Sequence, residues 1–219
     1  LDLGAGTGRC SRALAQRYRQ ARIIALDLAP KMLGQARRRQ SLWSRLKGTH
    51  SYICADAEHL PLAPACADLV FSNLTLQWCN DLDAVLQELR RILRPGGLLL
   101  FSTLGPDTLK ELRHSFAQVD TRSHVNSFLD MHDVGDALVR AQFADPVMDV
   151  DRLTLTYATI YDLMRDLKTI GAHNVTAGRR RGLTGKQRMQ ALAAAYEALR
   201  TNGVLPASYE VGYGHAWAP

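Results

Sequence analysis

Short apolar runs alternate with longer amphipathic segments in the first half of the chain. The apolar runs occupy residues 23–26, 52–54, 68–71 and 98–101. Between them, hydrophobic positions recur at helical spacing over residues 10–19, 30–44 and 82–93. This alternation is typical of βαβ units that build a parallel sheet. The third predicted helix has a stop signal, because Arg94-Pro95-Gly96-Gly97 places proline and glycine where a helix ends before a strand.

The pattern changes after Gly105. Further helices are predicted at residues 107–118, 130–141, 160–169 and 186–201. Polar and apolar residues alternate over 147–157 and 208–217, as in antiparallel strands with one solvated face. We therefore expect these two late strands to form a hairpin-like pair at one edge of the sheet.

Length and composition indicate one globular domain over residues 1–219. The chain has 47% hydrophobic and 22% charged residues, and no apolar run approaches the roughly 20 residues of a membrane-spanning helix. Leu1-Asp2-Leu3-Gly4 resembles the second half of a strand that runs into a turn, so we expect further residues upstream. We expect no membrane span in this chain.

The distribution of charged residues and cysteines indicates which partners and metals the chain could bind. The chain has 27 basic and 21 acidic residues, with arginine runs at 37–39 and 179–181. Such runs are solvated faces or surfaces for an acidic partner or nucleic acid, and no nucleic-acid motif accompanies them. The four cysteines have no metal-ligand spacing, so we expect buried free thiols and no metal.

A glycine turn follows the first strand directly. Gly4-Ala5-Gly6-Thr7-Gly8 opens the first predicted helix, and glycine lets the backbone turn sharply and approach a ligand closely. A dinucleotide fold usually spaces its glycines as G-x-G-x-x-G. Here the third glycine comes one residue earlier, so the ligand need not carry phosphate.

Acidic residues follow the next two strands. Asp27 ends the strand at 23–26 and is placed to accept hydrogen bonds from ribose hydroxyls; the alternative is that it caps the helix beginning at Pro30. Asp56, followed by Ala57, ends the next strand, where a carboxylate accepts from an adenine amino group or caps a turn.

The fourth strand ends in polar residues. Ser72 and Asn73 fall at its carboxyl end, and Trp78 follows. Ligands of open α/β sheets bind beyond the carboxyl ends of the strands, so we expect Ser72 and Asn73 to border the reacting group. Trp78 either lines the same pocket or packs in the core.

These elements, in this order, resemble the class I methyltransferase superfamily over residues 1–105. The resemblance implies a Rossmann-like, mostly parallel seven-stranded sheet with an antiparallel edge strand and helices on both faces. It also implies S-adenosylmethionine as cofactor, a cofactor-binding half at 1–105 and a substrate-side half at 106–219. The cofactor contacts that it implies are Asp2, Gly4, Ala5, Gly6, Gly8, Asp27, Leu28, Met32, Asp56, Ala57 and Ser72.

Later segments resemble the family of malonyl-[acyl-carrier protein] O-methyltransferases of biotin synthesis. They are the segments that begin Leu104-Gly105-Pro106-Asp107, His124-Val125-Asn126-Ser127 and Gly171-Ala172-His173-Asn174. Family members also carry an N-terminal helical segment that helps to close the site, and this sequence lacks it. The resemblance implies methylation of the malonyl carboxylate, in a cytoplasmic, monomeric enzyme without nucleic-acid or membrane partners.

Little catalytic apparatus is expected for this reaction. A carboxylate nucleophile is already ionised at neutral pH, so a general base has no proton to remove. We therefore predict no acid–base residue, only positioning by Ser72, Asn73 and Trp78. The basic residues Arg179, Arg180 and Arg181 are candidates to orient the malonyl carboxylate or to dock the acidic carrier protein.

Three alternatives remain open from the sequence. The chain is also compatible with a methyltransferase for another small molecule, such as a ubiquinone precursor. A non-methylating respiratory-complex assembly factor of the same fold is the second. A nucleotide-dependent dehydrogenase is the third, and the glycine spacing argues against it.

Overall fold

The computed structural model of the protein describes residues 1–41, 44, 48–120, 124–169 and 186–219. Seven strands form one sheet in the order β3-β2-β1-β4-β5-β7-β6. The strands are β1 Asp2–Leu3, β2 Ile23–Asp27, β3 His50–Cys54, β4 Ala67–Asn73, β5 Leu93–Leu104, β6 Ala144–Tyr157 and β7 Leu205–Trp217.

The first five strands are parallel, so their carboxyl ends share one edge of the sheet. Leu3 of β1 lies opposite Leu26 of β2 on one side and Ser72 of β4 on the other. β7 runs antiparallel to β5, because Gly96 donates to the Ala218 carbonyl and Ala218 donates back to Gly97. β6 lies outermost, beside β7. The predicted fold class, including the paired late strands at one edge, is confirmed.

Helices cover both faces of the sheet. Ala25 packs with Ala5 and Leu33 in one cluster, whereas its neighbour Leu26 belongs to a larger cluster, and successive strand residues point to opposite faces. The helices are α1 Arg9–Arg17, α2 Pro30–Arg38, α3 Leu82–Ile92, α4 Lys110–Ala117, α5 Met131–Arg140, α6 Ile160–Thr169 and α7 Lys186–Glu197, with a 3₁₀ turn at Leu76–Trp78.

Two helices end at least four residues earlier than predicted. α2 ends at Arg38 rather than at residue 44, since Arg37, Arg38 and Arg39 are exposed rather than buried against the sheet. α7 ends at Glu197 rather than at 201, because the next amides bond three residues back, Arg200 to Glu197 among them, and form a tighter turn.

The predicted helix stop lies within a strand. β5 begins at Leu93, and Arg94-Pro95-Gly96-Gly97 forms an irregular segment of that strand. The pairing with β4 shifts here, since Ala67 lies opposite Leu93 whereas Leu69 lies opposite Leu98. Gly96 has a positive φ of 75°, as expected of glycine in a bulge.

The chain divides into two compact units, each with its own core. Unit 1 comprises residues 1–103, 131–149 and 212–219, and unit 2 comprises residues 104–130 and 150–211. Val85, Leu86 and Leu89 of α3 are fully buried in the core of unit 1. Leu192 and Tyr196 of α7 are fully buried in that of unit 2. The predicted substrate-side half is thus shared between the units, because residues 131–149 and 212–219 belong to unit 1.

The cysteines are free, as predicted, but they are not buried. Cys54 is exposed, and Cys10, Cys66 and Cys79 are half-buried. Cys54 ends the peripheral strand β3, whose side chains are largely half-buried or exposed.

Candidate cofactor site

The glycine turn joins β1 to α1 in unit 1. Gly4, Gly6 and Gly8 all have positive φ, at 70°, 52° and 72°, a conformation that glycine adopts without steric cost. The amides of Gly4 and Ala5 both donate to the Leu26 carbonyl, at 2.8 and 3.0 Å. The turn is therefore attached to the end of β2 by its own backbone.

Gly4 and Gly6 face different surroundings. A Cβ on Gly4 would collide with the side chain of Thr75, whereas a Cβ on Gly6 would meet no atom within 4 Å. The hydroxyl of Thr75 donates to the Leu3 carbonyl at 3.3 Å. Gly4 thus permits packing inside the protein, while Gly6 borders open space that a ligand can fill.

Asp2 lies beneath the turn rather than in that open space. Its side chain is 1% exposed, and its carboxylate accepts a short hydrogen bond from Ser11 of α1. Burial raises the pKa of Asp2, and the bond from Ser11 opposes that shift. Asp2 therefore ties β1 to α1 and positions the turn.

Asp27 joins the turn to the end of β2. One carboxylate oxygen accepts from the Gly6 amide at 2.7 Å, and the other accepts from the Ala29 amide at 2.8 Å. Ala29, not Asp27, is the N-cap residue of α2, and the cap position makes no side-chain hydrogen bond. Each carboxylate oxygen has a further lone pair, so Asp27 is able to accept from a ligand as well.

Apolar and acidic residues continue along the same edge. Leu28 is 68% exposed and Met32 39% exposed, which is unusual for side chains of this size in a folded domain. Asp56 is also exposed, and one of its oxygens accepts from the Glu58 amide at 3.1 Å. Ala57 is half-buried against the core.

The end of β4 completes this edge of the sheet. Ser72 is fully buried, and its hydroxyl has no hydrogen-bond partner among the described residues. Asn73 is exposed, and its side chain accepts from the Ser102 hydroxyl at 2.9 Å. Trp78 ends the 3₁₀ turn with 37% of its surface exposed. Of the three predicted residues, Asn73 and Trp78 are therefore the ones with exposed groups.

Three residues of this site were not predicted. Thr75 fills the space beside Gly4. Leu74 has a positive φ of 51°, which is costly for a branched side chain. Gln77 donates to the Leu74 carbonyl at 2.9 Å and so holds that conformation. The polar residues at the end of β4 were the only signal in the sequence for this part of the site. The contact of Thr75 with Gly4 could not be predicted, because these residues are far apart in sequence.

The family-like segments that begin at Leu104 and His124 start in unit 2. The Asp107 amide donates to the Glu210 carboxylate at 2.9 Å, and the Thr108 hydroxyl donates to the Glu210 carbonyl at 3.1 Å. Glu210, a buried residue that was also not predicted, thus fixes the turn after β5. His124 stacks on Phe116 and bonds to Asp120 at 2.7 Å, which is a packed arrangement.

The other candidate residues lie at the surface or outside the described residues. His132 is exposed. His173, Arg179, Arg180 and Arg181 lie outside the described residues. Within the described ranges, no cluster of histidine, cysteine and acidic side chains is arranged to hold a metal ion. No described helix is both long and apolar enough to cross a membrane.

The hydrogen-bond acceptors and apolar side chains of this edge fit an adenosine-containing cofactor. Carboxylates follow β2 and β3, where ribose hydroxyls and an adenine amino group need acceptors. Exposed apolar side chains lie beside Asp27, and open space borders Gly6. The predicted cofactor residues Gly4, Gly6, Gly8, Asp27 and Asp56 all follow carboxyl ends of parallel strands in unit 1.

Comparison with known proteins agrees with this fold. The model of a methyltransferase domain family matches residues 1–101. The S-adenosyl-L-methionine complex of phosphoethanolamine N-methyltransferase 2 from Haemonchus contortus superposes with a TM-score of 0.61 at 20% identity, covering 100% of this chain and 48% of that one. Geranyl diphosphate C-methyltransferase from Streptomyces coelicolor gives 0.57 at 14% identity, covering 100% and 70%. The chain therefore has the fold of a class I methyltransferase.

Relatives at higher identity define the family. The malonyl-[acyl-carrier protein] O-methyltransferase of Laribacter hongkongensis is 57% identical, with 100% of this chain covering 75% of that protein. The protein of that name from Gallionella capsiferriformans is 56% identical, with coverage of 100% and 76%. This chain belongs to the malonyl-[acyl-carrier protein] O-methyltransferase family.

Proposed function

We propose that the protein transfers a methyl group from S-adenosylmethionine to the free carboxylate of malonyl-acyl carrier protein. The observation that carries the proposal is the 57% identity to a named malonyl-[acyl-carrier protein] O-methyltransferase over the whole chain. That similarity includes the residues after Gly105, where the acceptor side of the enzyme is expected. Malonyl-CoA is the other thioester that presents the same carboxylate.

The cofactor is held by the carboxyl edge of β1 to β4. Asp27 accepts from the ribose hydroxyls with its remaining lone pairs, since its bonds to Gly6 and Ala29 fix the carboxylate. Asp56 accepts from the adenine amino group, and Leu28 covers the base. When bound, S-adenosylmethionine supplies a methyl group activated by a sulfonium charge.

The residues of the site act by orientation rather than by proton transfer. A malonyl carboxylate is ionised at neutral pH, because ordinary carboxyl groups have a pKa of about 4. In-line displacement then requires that the acceptor oxygen be held in line with the methyl group and that water be excluded. Asn73 and Trp78 border the space where the acceptor enters, and Ser72 is buried directly before Asn73 in β4.

The product has lost the charge of the free carboxylate. A methyl ester is uncharged, so the chain-extending machinery that uses apolar acyl primers accepts it as the start of a pimeloyl chain for biotin. We further propose that the enzyme acts in the cytoplasm as a monomer and that Arg179, Arg180 and Arg181 help to bind the substrate.

Mass analysis of the acceptor tests this function. The complete protein is incubated with S-adenosylmethionine and malonyl-acyl carrier protein, and acetyl-acyl carrier protein serves as the matched control that lacks the free carboxylate. We expect the malonyl form to gain one methyl group and the acetyl form to gain none. Methylation of neither form, or of both, would contradict the proposed reaction.

The alternatives receive no support from the relatives. Those cited above are named for the malonyl substrate. A methyltransferase for another small molecule would leave malonyl-acyl carrier protein unmodified in the same experiment. An assembly factor without methyltransferase activity would do so too.

A further inference from the structure

Positive charge is concentrated at the start of the chain. Eleven of the 27 lysine and arginine residues lie in the first fifty positions, together with only two of the 21 acidic residues. The rest of the chain has sixteen basic and nineteen acidic residues. The net positive charge of the protein therefore comes entirely from the segment that contains α1 and α2.

The two acidic residues of this segment do not neutralise that charge at the surface. Asp2 is buried beneath the glycine turn, and Asp27 lies at the carboxyl edge with its oxygens bonded to Gly6 and Ala29. Within the described part of the chain, no salt bridge forms at the exposed cations of the two helices and their flanking turns. These cations are Arg9, Arg17, Arg19, Arg22, Lys31, Arg38 and Arg39.

α1 and α2 present their cations on one face of unit 1. Both helices pack on β2, and a Cβ on Gly8, at the start of α1, would approach Ala36 of α2 to 2.8 Å. A groove of about 510 Å³ lies between them, lined by Arg12, Gln16, Arg19, Arg39, Gln40 and Thr49. We call the exposed cations of α1 and α2, together with this groove, the basic face.

The basic face also reaches the cofactor edge. α1 begins at Arg9, one residue after the glycine turn, and α2 begins at Pro30, three residues after Asp27. A nine-residue helix is about 14 Å long, so Arg9 and Lys31 lie at the cofactor edge, whereas the groove lies beside the starts of β2 and β3, at the opposite edge. A partner that covers this face as far as the helix starts would be positioned to deliver a substrate on a long flexible arm to the cofactor edge.

We infer that the basic face docks the acyl carrier protein. This inference rests on the proposed function, since acyl carrier proteins are acidic and carry the thioester on a long prosthetic arm. Guanidinium groups match carboxylates in bidentate geometry, and the groove presents them beside neutral hydrogen-bonding side chains. Complementary charge raises the rate of encounter and sets the orientation of the partner.

Charge reversal on the complete protein tests the docking surface. The double variant Arg19→Glu, Arg39→Glu is compared with Arg94→Glu, Arg165→Glu, whose arginines are exposed in surface ion pairs elsewhere. Each enzyme is assayed with malonyl-acyl carrier protein and with malonyl-pantetheine, which lacks the carrier. We expect kcat/KM for the carrier substrate to fall on the order of tenfold in the first variant only. The value for malonyl-pantetheine should not change.

Each other outcome has a distinct meaning. Equal loss with both substrates would show damage to the methyl-transfer site and would overturn the docking role, as would unchanged kinetics in the first variant. Unchanged kinetics together with weaker binding of an RNA oligonucleotide, measured on the same variants, would assign the face to nucleic acid instead. Failure of the native protein to methylate either substrate would overturn the proposed function itself, which the native control reveals separately.

Discussion

Gly4 and Gly6 have different structural roles, although both lie in the same turn and both have positive φ. The hydrogen of Gly4 faces Thr75, so this glycine permits a contact within the protein. The hydrogen of Gly6 faces open space, while its amide is bonded to Asp27. Substitution should therefore separate folding from cofactor binding at these two positions.

Gly4→Ala should destabilise the protein, and Gly6→Ala should mainly weaken cofactor binding. The first change adds a collision with Thr75 to the cost of a left-handed alanine, about 3 kcal/mol together, and the second adds about 1 kcal/mol. Thermal unfolding and binding of S-adenosylhomocysteine measure the two effects. The companion change Thr75→Ala should partly restore the stability of Gly4→Ala. Equal melting temperatures for the two glycine variants would contradict this assignment.

Asp27→Ala should weaken cofactor affinity by roughly 10- to 100-fold. Hydrogen bonds to a charged acceptor contribute about 1.5–3 kcal/mol each, and a tenfold change in affinity corresponds to about 1.4 kcal/mol. Calorimetric titration with S-adenosylhomocysteine measures the loss. As a control, Asp68→Ala removes an exposed carboxylate near the start of β4, away from the cofactor edge. This variant should bind S-adenosylhomocysteine normally. Normal binding by Asp27→Ala would remove Asp27 from the site.

Single residues could be predicted where a strand end and a residue type coincide. Gly4, Gly6, Gly8, Asp27 and Asp56 stand in their predicted places after the strands, although their contacts with the cofactor remain predictions. The residues that support these turns could not be predicted. Thr75 contacts Gly4 from 71 positions away, and Glu210 contacts Gly105 from 105 positions away. Such contacts arise only when the sheet is assembled.

At the scale of elements, β7 packs unusually closely against its neighbours in unit 1. A Cβ on Gly214 would collide with Phe101 of β5 and would approach the Met148 sulfur of β6 to 2.7 Å. The glycine therefore lets the two bulkier side chains pack over β7. This strand joins the outermost strand β6 to the rest of the sheet.

Gly214→Ala should destabilise the fold by about 1–3 kcal/mol, the usual cost of an overpacked core. Urea unfolding measures the change, and Phe101→Leu should recover part of it by removing ring atoms from the collision. Gly203→Ala is a poor control because Gly203 has positive φ. Gly34→Ala meets no atom and lies within α2, so it should raise stability slightly rather than lower it. An unchanged midpoint for Gly214→Ala would show that β7 has room to move.

Strand and helix positions could largely be predicted from hydrophobic spacing, but several of their ends could not. The helix at 160–169 has its predicted bounds. α2 ends early because its arginine run supplies no buried contact, and β5 extends through Pro95 because a bulge accommodates the irregular backbone. These ends depend on packing and pairing across the sheet rather than on local sequence.

At the scale of the whole molecule, all the predicted cofactor residues belong to unit 1. A ligand that binds only the folded state stabilises it, by about 2.7 kcal/mol at a concentration 100 times Kd. Hydrogen exchange with S-adenosylhomocysteine should show protection concentrated at residues 4–8, 27–33, 54–58 and 73–78. Protection absent from these segments would contradict the placement of the cofactor at this edge.

The most direct test of the central claim is a crystal structure of the protein with S-adenosylhomocysteine. We expect the ribose hydroxyls at hydrogen-bonding distance, about 3 Å, from the Asp27 carboxylate, with the ligand beside Gly6 and the adenine near Asp56. A ligand bound elsewhere, or one whose ribose does not contact Asp27, would contradict it.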